Sequence, residues 1–571
     1  MLQVVSCKLN LDFIKREIVS INAAAFLIGA AGFLSRILGL FRDRLLAGSF
    51  GASRELDIYY AAFQIPDFIF NLFLIGSATA AIIPVFLEYW EKDKEEARRL
   101  IDGLFNIFLI FSAVFCLLTA VFAPLLVHFL VPGFSAEEQA LASLMTRIML
   151  VSPFFLSLSN IVSGVLQAHR RFFAFSLSSI FYNLGIIFGI MVFLPFFGFL
   201  GLAYGVIFGA FLHLLAQFPA FYGLGFRFNP SFRMAFHPGM KKIALLSGPR
   251  VLAVSFSSIG VLIVTAAVST LSQGSIAVLQ LANNIKFIPV GIFGVSFAVA
   301  VFPRLSQAFV KKDPEDFYGA FFGVLKTLIF WLAPVSVLFY VLRAHIVRLA
   351  LGTGLFDWRD TRLTASVLGI FSVLIIIESI LPLLIKSFYA LNKTFRPLII
   401  NFLSNAVIVA LSLWLMGVFS DESSPVTQFF GRVLRVDDIS GLGILGVALA
   451  VVIGQTLNFF ILLKFFLGEA KKSFGFLPEN GFTGNIRRIV VAAAISGLTA
   501  YAVRIVADFF ITLDTFLGVL AQGGSAGIAG LLVYGLILYK FENKEIMDII
   551  EVFKRRLLKP QVLPQGIELD K

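Results

Sequence analysis

The sequence predicts an all-α integral membrane protein. It reads as about 14 transmembrane helices, twelve of them in two pseudo-symmetric six-helix lobes around a central cavity and two more added at the C-terminal end. Three observations predict this: the composition, the length of the apolar runs, and an internal repeat. Of the 571 residues, 59% are hydrophobic and only 14% charged, and mean hydropathy is +0.93. Soluble domains run at about 45–50% apolar and about 25% charged. That gap excludes an ordinary cytosolic enzyme, a disordered chain and a nucleic-acid-binding domain. The net charge of +12 is therefore read as basic loops on one side of a membrane rather than as a nucleic-acid footprint.

Apolar runs cut by Gly, Pro and charge clusters place the first six spans at 20–48, 56–90, 99–131, 137–168, 173–197 and 200–224. A second six follow at 241–271, 276–308, 316–351, 361–391, 395–419 and 441–468, and the added pair at 484–510 and 516–540. Each is long enough for the roughly 20 apolar residues that a hydrocarbon core demands, and those beyond about 30 must tilt or project. No run alternates with period two, so a β-barrel is excluded. The lobes then occupy 1–225 and 241–470, joined by a cytoplasmic linker at 226–240; the added spans take 471–541 and a cytoplasmic tail 542–571. Within that tail, Glu542–Lys559 reads as a basic amphipathic helix.

Charge orients the bundle. Even-numbered connections carry Lys92, Lys94, Arg98 and Arg99, then Arg170 and Arg171, Lys241 and Lys242, Lys311 and Lys312, Lys393 and Arg396, and Lys471 and Lys472. Most odd-numbered connections, such as Pro195–Leu200 and Ser269–Ser275, lack basic residues. The positive-inside rule puts both termini in the cytoplasm. Two outer segments, Arg343–Arg362 and Ser420–Ser440, hold arginines but also acids, among them Asp357, Asp360, Asp437 and Asp438. The N-terminus shows no cleavable signal, so the first span is read as retained. Cys7 and Cys116 have no pairing or zinc spacing.

The chain repeats itself at an offset of about 222 residues. The stretch Gln167–Phe173 is echoed by Tyr389–Phe395, and Asn183 then falls opposite Asn405. Duplicated units of this kind are a recurrent transporter plan.

Charged side chains in hydrocarbon cost roughly 2.5–3.5 kcal/mol on insertion scales, so they persist where water, a partner or a substrate receives them. The first span breaks the apolar rule hardest: Arg36 and Arg42 sit among apolar residues, with Asp43 and Arg44 beside them. At 100° per residue the two arginines lie about 120° apart around the helix and about 9 Å along it, so one broad cavity sees both. Guanidinium forks in a wet cavity match phosphate oxygens. Asp57 opens the second span, and Asp67 and Asn71 share a helix face at i,i+4. Asn283, Asn284 and Lys286 precede Pro289, and Asn401 and Asn405 share a face of the eleventh span. No Walker A, HExxH or nucleophile-elbow pattern is present, so the chain is read as a transporter and not an enzyme.

At Ser35–Phe86 the sequence resembles the MurJ/MviN family of lipid II flippases. The carrying residues are Ser-Arg-Ile-Leu-Gly-Leu-Phe-Arg-Asp at 35–43, Ala47 to Gly51, Asp57, Ala62 and Phe63, Ile65 and Pro66, Leu72 and Phe73, and Gly76 to Pro84, supported by Asn-Ile-Lys-Phe-Ile-Pro at 284–289. The resemblance implies the multidrug/oligosaccharidyl-lipid/polysaccharide exporter fold. It implies export of an undecaprenyl-diphosphate-linked peptidoglycan precursor from the inner to the outer leaflet of the bacterial cytoplasmic membrane by alternating access. It implies that Arg36 and Arg42 bind the diphosphate, that Asp57 is the acid required in the second span, and that the two extra helices groove the polyprenyl tail. The sequence departs from the family pattern at three places. Phe70 and Asn71 stand where a basic pair is common. Asn284 aligns with a cavity arginine, with Lys286 near it on another face. Asn401 and Asn405 stand where sodium-binding members use an aspartate. The expected substrate-binding set is therefore Ser35, Arg36, Arg42, Asp43, Asp57, Asn284 and Lys286. Asn401 and Asn405 form a candidate sodium site, and Na+ or the membrane potential is the expected driving force. The expected partners are lipid II or a related polyprenyl-diphosphate lipid and the membrane, with no nucleic acid. The alternatives are a flippase for another polyprenyl-diphosphate glycan and a non-transporting scaffold of cell-wall assembly.

Overall fold

A computed structural model describes residue 17 and residues 21–76, 79–226, 237–476, 482–548, 550 and 551. Cys7, most of the expected linker at 226–240 and most of the tail at 542–571 lie outside the described residues. Those described are overwhelmingly helical, with no strand among them. In chain order the helices are α1 (Ile21–Phe50), α2 (Arg54–Gly76), α3 (Thr79–Lys92), α4 (Lys94–Leu130), α5 (Ala136–Met149), α6 (Val151–Ala168) and α7 (Phe172–Phe188). Then come α8 (Leu194–Phe197), α9 (Gly201–Leu215), α10 (Phe218–Tyr222), α11 (Pro238–Ser269), α12 (Ser275–Pro289), α13 (Ser296–Val310) and α14 (Pro314–Val341). The last are α15 (Arg343–Leu351), α16 (Trp358–Ala390), α17 (Phe395–Ser420), α18 (Pro425–Leu434), α19 (Gly443–Phe474), α20 (Phe482–Asp508) and α21 (Phe516–Lys540). Ten helical stretches among the described residues are long and apolar enough to cross a membrane. α1 falls outside that set, and its second half carries Arg36, Arg42, Asp43 and Arg44.

Local chemistry sets the helix starts. Asp93 accepts the Glu95 amide at the head of α4, and Glu95 and Glu96 follow in the first turn. Ser135 and Glu138 form a reciprocal capping box on α5. Asp313 caps α14, with Pro314 in its first position, and Thr515 caps α21 through the Gly518 amide. Each cap satisfies an amide that the first helical turn leaves without an internal partner. α4 shows how these helices meet lipid: Ala97, Leu100, Ile101 and Leu104 are buried, whereas Phe111, Leu117, Phe122 and Phe129 are exposed.

The chain divides into two compact units. One comprises Met1–Ile288, Ala350–Phe371 and Phe395–Asn458; the other comprises Pro289–Leu349, Ser372–Thr394 and Phe459–Lys571. The first has a core in which Phe86, Ile101, Val162, Leu166 and Phe226 are shut from solvent. In the second, Phe330, Ile489, Ala492, Tyr534 and Leu538 pack together, and the Tyr534 hydroxyl donates to the Phe330 carbonyl at 2.6 Å.

Within the first unit, α7 and α9 approach along facing glycines. A Cβ built at Gly185 would lie 2.2 Å from the Gly209 Cα, and one at Gly189 would lie 2.3 Å from the Gly205 Cα. Gly185 and Gly189, like Gly205 and Gly209, are four residues apart, so each pair sits on one helix face and lets the backbones touch. The repeat seen in the sequence also has a physical trace here. A Cβ at Gly39 of α1 would lie 3.7 Å from Asn183 Oδ1 of α7, and one at Gly260 of α11 would lie 3.3 Å from Asn405 Oδ1 of α17. A Gly–Asn approach thus occurs at both Asn183 and Asn405, the two residues that the sequence repeat sets opposite each other.

Candidate functional site

The intramembrane charges of α1 meet α12. Arg36, Gly39, Leu40, Arg42 and Asp43 line one side of a cavity of about 320 Å³, and Asn283, Asn284, Phe287 and Ile288 line the other. The helix geometry expected from sequence holds: both arginines reach the same hollow.

Their bonding differs. Arg36 donates from Nη1 to the Phe287 carbonyl at 3.1 Å, its guanidinium lies 5.7 Å from the Phe287 ring centroid, and it forms no ion pair among the described residues. Its remaining N–H groups are open to a ligand. Arg42 is held by Asp43, donating from Nε at 3.0 Å and Nη2 at 2.8 Å to Oδ1. It also donates from Nη1 to Asn183 Oδ1 at 3.5 Å. Asp43 is itself buried, and its Oδ2 accepts from Asn284 Nδ2 at 2.9 Å. Asn284 Oδ1 in turn accepts from Gln280 Nε2 at 3.2 Å. A chain of bonds thus runs from α7 through α1 to α12. It fixes the Arg42 fork in one orientation while leaving one-fifth of that side chain exposed. The net charge of the lining is one positive: two guanidiniums against one carboxylate.

Ser35 belongs to the frame and does not line this cavity. Its hydroxyl donates to the Ser179 carbonyl at 3.2 Å and accepts from Asn183 Nδ2 at 3.1 Å, so it ties α1 to α7. Lys286 is also away from it. It is buried, with Nζ 4.8 Å from the Phe371 ring centroid.

Asp57 is the largest displacement from expectation. It is buried at 1% exposure and lies outside the cavity lining. Oδ2 accepts the Gly274 amide at 2.7 Å and Oδ1 the Ala277 amide at 2.8 Å, while Arg54 Nη1 stands 3.7 Å away. One amide lies just before α12 and the other in its first turn, so Asp57 caps a helix start 217 residues distant in sequence. Gly274 has φ +84°, and a Cβ there would meet the Ala52 carbonyl at 1.9 Å, so only glycine lets the turn approach α2 this closely. The α1–α2 turn is stapled further by Leu355 N donating to the Gly48 carbonyl at 2.9 Å and by Ala52 N donating to Asp360 Oδ2 at 2.9 Å.

The Asn pair of α17 shares a face, as the spacing requires. Asn405 Nδ2 donates to the Asn401 carbonyl at 2.8 Å, and Asn401 Oδ1 accepts from Asn458 Nδ2 at 3.0 Å. These residues would offer a cation only neutral amide oxygens. One amide oxygen is already taken, the cavity beside Asn405 has no carboxylate in its lining, and among the described residues no group of three His, Cys, Asp or Glu could hold a metal.

A family profile described as "Lipid II flippase MurJ" matches residues 46–520. The chain belongs to the MurJ family. A relative from Burkholderia cenocepacia, named "Lipid II flippase MurJ", is 28% identical over 408 residues, covering 68% of this chain and 79% of its own length. One from Buchnera aphidicola subsp. Baizongia pistaciae, named "Probable lipid II flippase MurJ", is 27% identical over 468 residues, covering 81% and 86%. Among solved structures, "Lipid II flippase MurJ, inward closed conformation" aligns with a TM-score of 0.69 at 24% identity, covering 94% of this chain and 100% of that one. A multidrug resistance MATE family transporter of the MOP superfamily in its inward-facing conformation aligns at TM-score 0.64 and 15% identity, covering 78% and 96%. These two likenesses are of fold. The MurJ family assignment and the all-α membrane architecture agree with the resemblance carried by residues 35–86. The residues that sequence reading missed are Gln64, Gln280 and Gln455, amides inside apolar runs. Their signal was a polar side chain in a span, which alone does not say whether it meets another helix or a cavity.

Proposed function

We propose that this multi-pass membrane protein is a lipid II flippase of the bacterial inner membrane: a transporter that carries an undecaprenyl-diphosphate-linked head group from the cytoplasmic to the outer leaflet. The observation that carries this reading is the convergence of Arg36 and Arg42 on one cavity of about 320 Å³ between α1 and α12. Phosphate oxygens match guanidinium forks, and a net-positive hollow inside a membrane is costly unless an anion fills it during the cycle. The polyprenyl tail stays in lipid while the head crosses. Asp43 holds Arg42 in position when no substrate is bound, and the diphosphate then competes with that carboxylate for the fork.

Basic residues concentrate on even-numbered connections, which supports cytoplasmic termini. On that orientation the α1–α2 turn, with its staples to Gly274, Leu355 and Asp360, lies on the outer side. Alternating access then requires those bonds to break for the head group to leave.

The test is flipping of labelled lipid II by the full chain in reconstituted vesicles. Arg36→Ala should abolish it, and Arg42→Ala should reduce it at least tenfold, with both proteins folded. Unchanged flipping in Arg36→Ala would remove the diphosphate role. Flipping of other polyprenyl-diphosphate glycans in preference to lipid II would shift the cargo, and intact cell-wall growth on a chain that flips nothing would make it a scaffold.

A further inference from the structure

A second cavity in the same unit, of about 170 Å³, lies among α2, α11, α12, α16, α17 and α19. Its polar lining is Gln64, Thr265, Gln280, Asn283, Asn405 and Gln455, and no charged side chain lines it. Asn283 also lines the arginine cavity, so the two hollows adjoin at that residue. Five carboxamides around one small space are unusual in a membrane protein. Each brings two donors and an acceptor whose desolvation must be offset.

Their partners account for only part of that capacity. Gln280 donates to Asn284, Asn405 donates to the Asn401 carbonyl, and Gln455 Oε1 accepts from Asn458 Nδ2 at 3.4 Å. The side chains of Gln64, Asn283 and Thr265 hydrogen-bond to no described residue, and Thr265 is buried, with a relative exposure of 7%. Pure helix-to-helix adhesion would pair these groups with one another. Instead they face a shared space with bonds to spare.

We propose that this chamber binds the uncharged saccharide part of the head group while the arginine cavity holds the diphosphate. The inference rests on the flippase reading and adds where the rest of the head group sits. Neutral carboxamides and a threonine hydroxyl match sugar hydroxyls and N-acetyl amides, each both donor and acceptor. They give an anion no compensating charge, so the diphosphate has no reason to enter. The volume holds on the order of ten water-sized groups, the size of one sugar ring with its hydroxyls. The shared wall at Asn283 sets the two subsites side by side, as a sugar bonded directly to a diphosphate requires. A site built to hydrogen-bond a sugar also rejects a lipid that lacks one, because its amides would stay unpaired.

The experiment measures binding of two probes to the full-length protein in lipid nanodiscs: undecaprenyl diphosphate and lipid II. Wild type should bind lipid II at least tenfold more tightly than the bare diphosphate; equal affinity overturns the proposal without any variant. Gln64→Met combined with Gln455→Met keeps side-chain volume and removes two amides. It should weaken lipid II binding about tenfold and change bare-diphosphate binding less than twofold, which also certifies the fold. Equal loss on both probes, or none on lipid II, overturns the saccharide subsite. Arg36→Ala should weaken both probes. If it weakens neither, the flippase reading fails, and that result is separate from the fate of the amide chamber.

Discussion

Asp57 shows how one carboxylate is read differently from sequence and from structure. An acid at the start of a membrane span suggests a substrate or ion contact. The structure buries it against two amides at the head of α12, where its two oxygens satisfy donors that the helix start leaves without internal partners. Asp57→Asn retains the shape, but the carboxamide can present only one oxygen to those amides. It should lower the stability of the protein by about 1–2 kcal/mol, in the range of a lost helix cap, seen as a reduced thermal midpoint in detergent. Diphosphate-lipid affinity should stay within about twofold, since Asp57 does not line the cavity; a tenfold loss of affinity at unchanged stability would return it to the substrate site. The arginines were legible because a charge in an apolar run is conspicuous and helix periodicity says which charges share a side. Asp57's role was not, because its partners are backbone amides far along the chain and leave no mark in the sequence. Lys286 was expected in the substrate-binding set, but it does not line the cavity, and its seat over Phe371 depends on a helix that sequence alone does not bring near.

Among the elements, the glycine seam between α7 and α9 makes the sharpest claim. A Cβ at Gly205 would stand 2.7 Å from the Gly189 Cα, backbone against backbone, so the helices must part to admit any side chain. Gly205→Leu should cost about 1–3 kcal/mol by overpacking and lower the yield of folded protein. Gly198→Ala, where a Cβ meets nothing within 4 Å but the backbone sits at φ +61° and ψ −152°, a region essentially confined to glycine, should cost about 1–3 kcal/mol through backbone strain alone. Equal melting of Gly205→Leu and wild type would refute the seam. A second element-level device is the clamp of the α18–α19 connection onto the start of α16. Arg362 donates from Nη1 to Asp438 Oδ2 at 2.7 Å and from Nε to the Arg435 carbonyl at 3.1 Å. Its hydrogen bond, and then its charge, hold the Asp438 carboxyl below its ordinary range. A carboxylate with a lowered folded pKa contributes stability above the ordinary value of about 3.9 and loses it as pH falls through the lowered one. Protection of amides at 436–442 against hydrogen exchange, corrected for intrinsic rate, should therefore be equal at pH 7 and pH 5, and Asp438→Asn should reduce it at both. Loss of protection between pH 7 and 5 in the native protein would contradict the clamp. Element positions were largely readable: the expected 99–131, 395–419 and 516–540 match α4, α17 and α21 to within a few residues. The expected single span at 137–168 is one helical stretch, Ala136–Ala168, with a single-residue turn at Leu150 between α5 and α6 that keeps its amide bonded to the Thr146 carbonyl at 2.9 Å and lies just before Pro153, whose ring disturbs the preceding turn.

For the molecule as a whole, the open question is what drives transport. A diphosphate head carries a charge of about −2 at neutral pH. Moving it from a negative cytoplasm to the outside is favoured by roughly 2.3 kcal/mol per charge for each 100 mV. The cavity adds its own sign: its lining sums to one positive charge, with Asp43 set against Arg36 and Arg42. If the diphosphate crosses in that hollow, the complex moves outward with net charge near −1 and the empty carrier returns inward at about +1. Both half-cycles then run downhill in an inside-negative potential, and the charge per cycle equals that of the cargo whatever the protein contributes. On this scheme the field can turn the cycle without sodium. In vesicles holding the protein in one orientation, imposing 100 mV, negative on the side from which lipid II departs, should raise the rate of outward flipping several-fold, and collapsing it with a potassium ionophore should reverse the gain. Replacing sodium by choline at constant potential should leave the rate within about twofold. A rate that follows sodium and ignores the potential would show that the field acting on this charged hollow is not what turns the cycle.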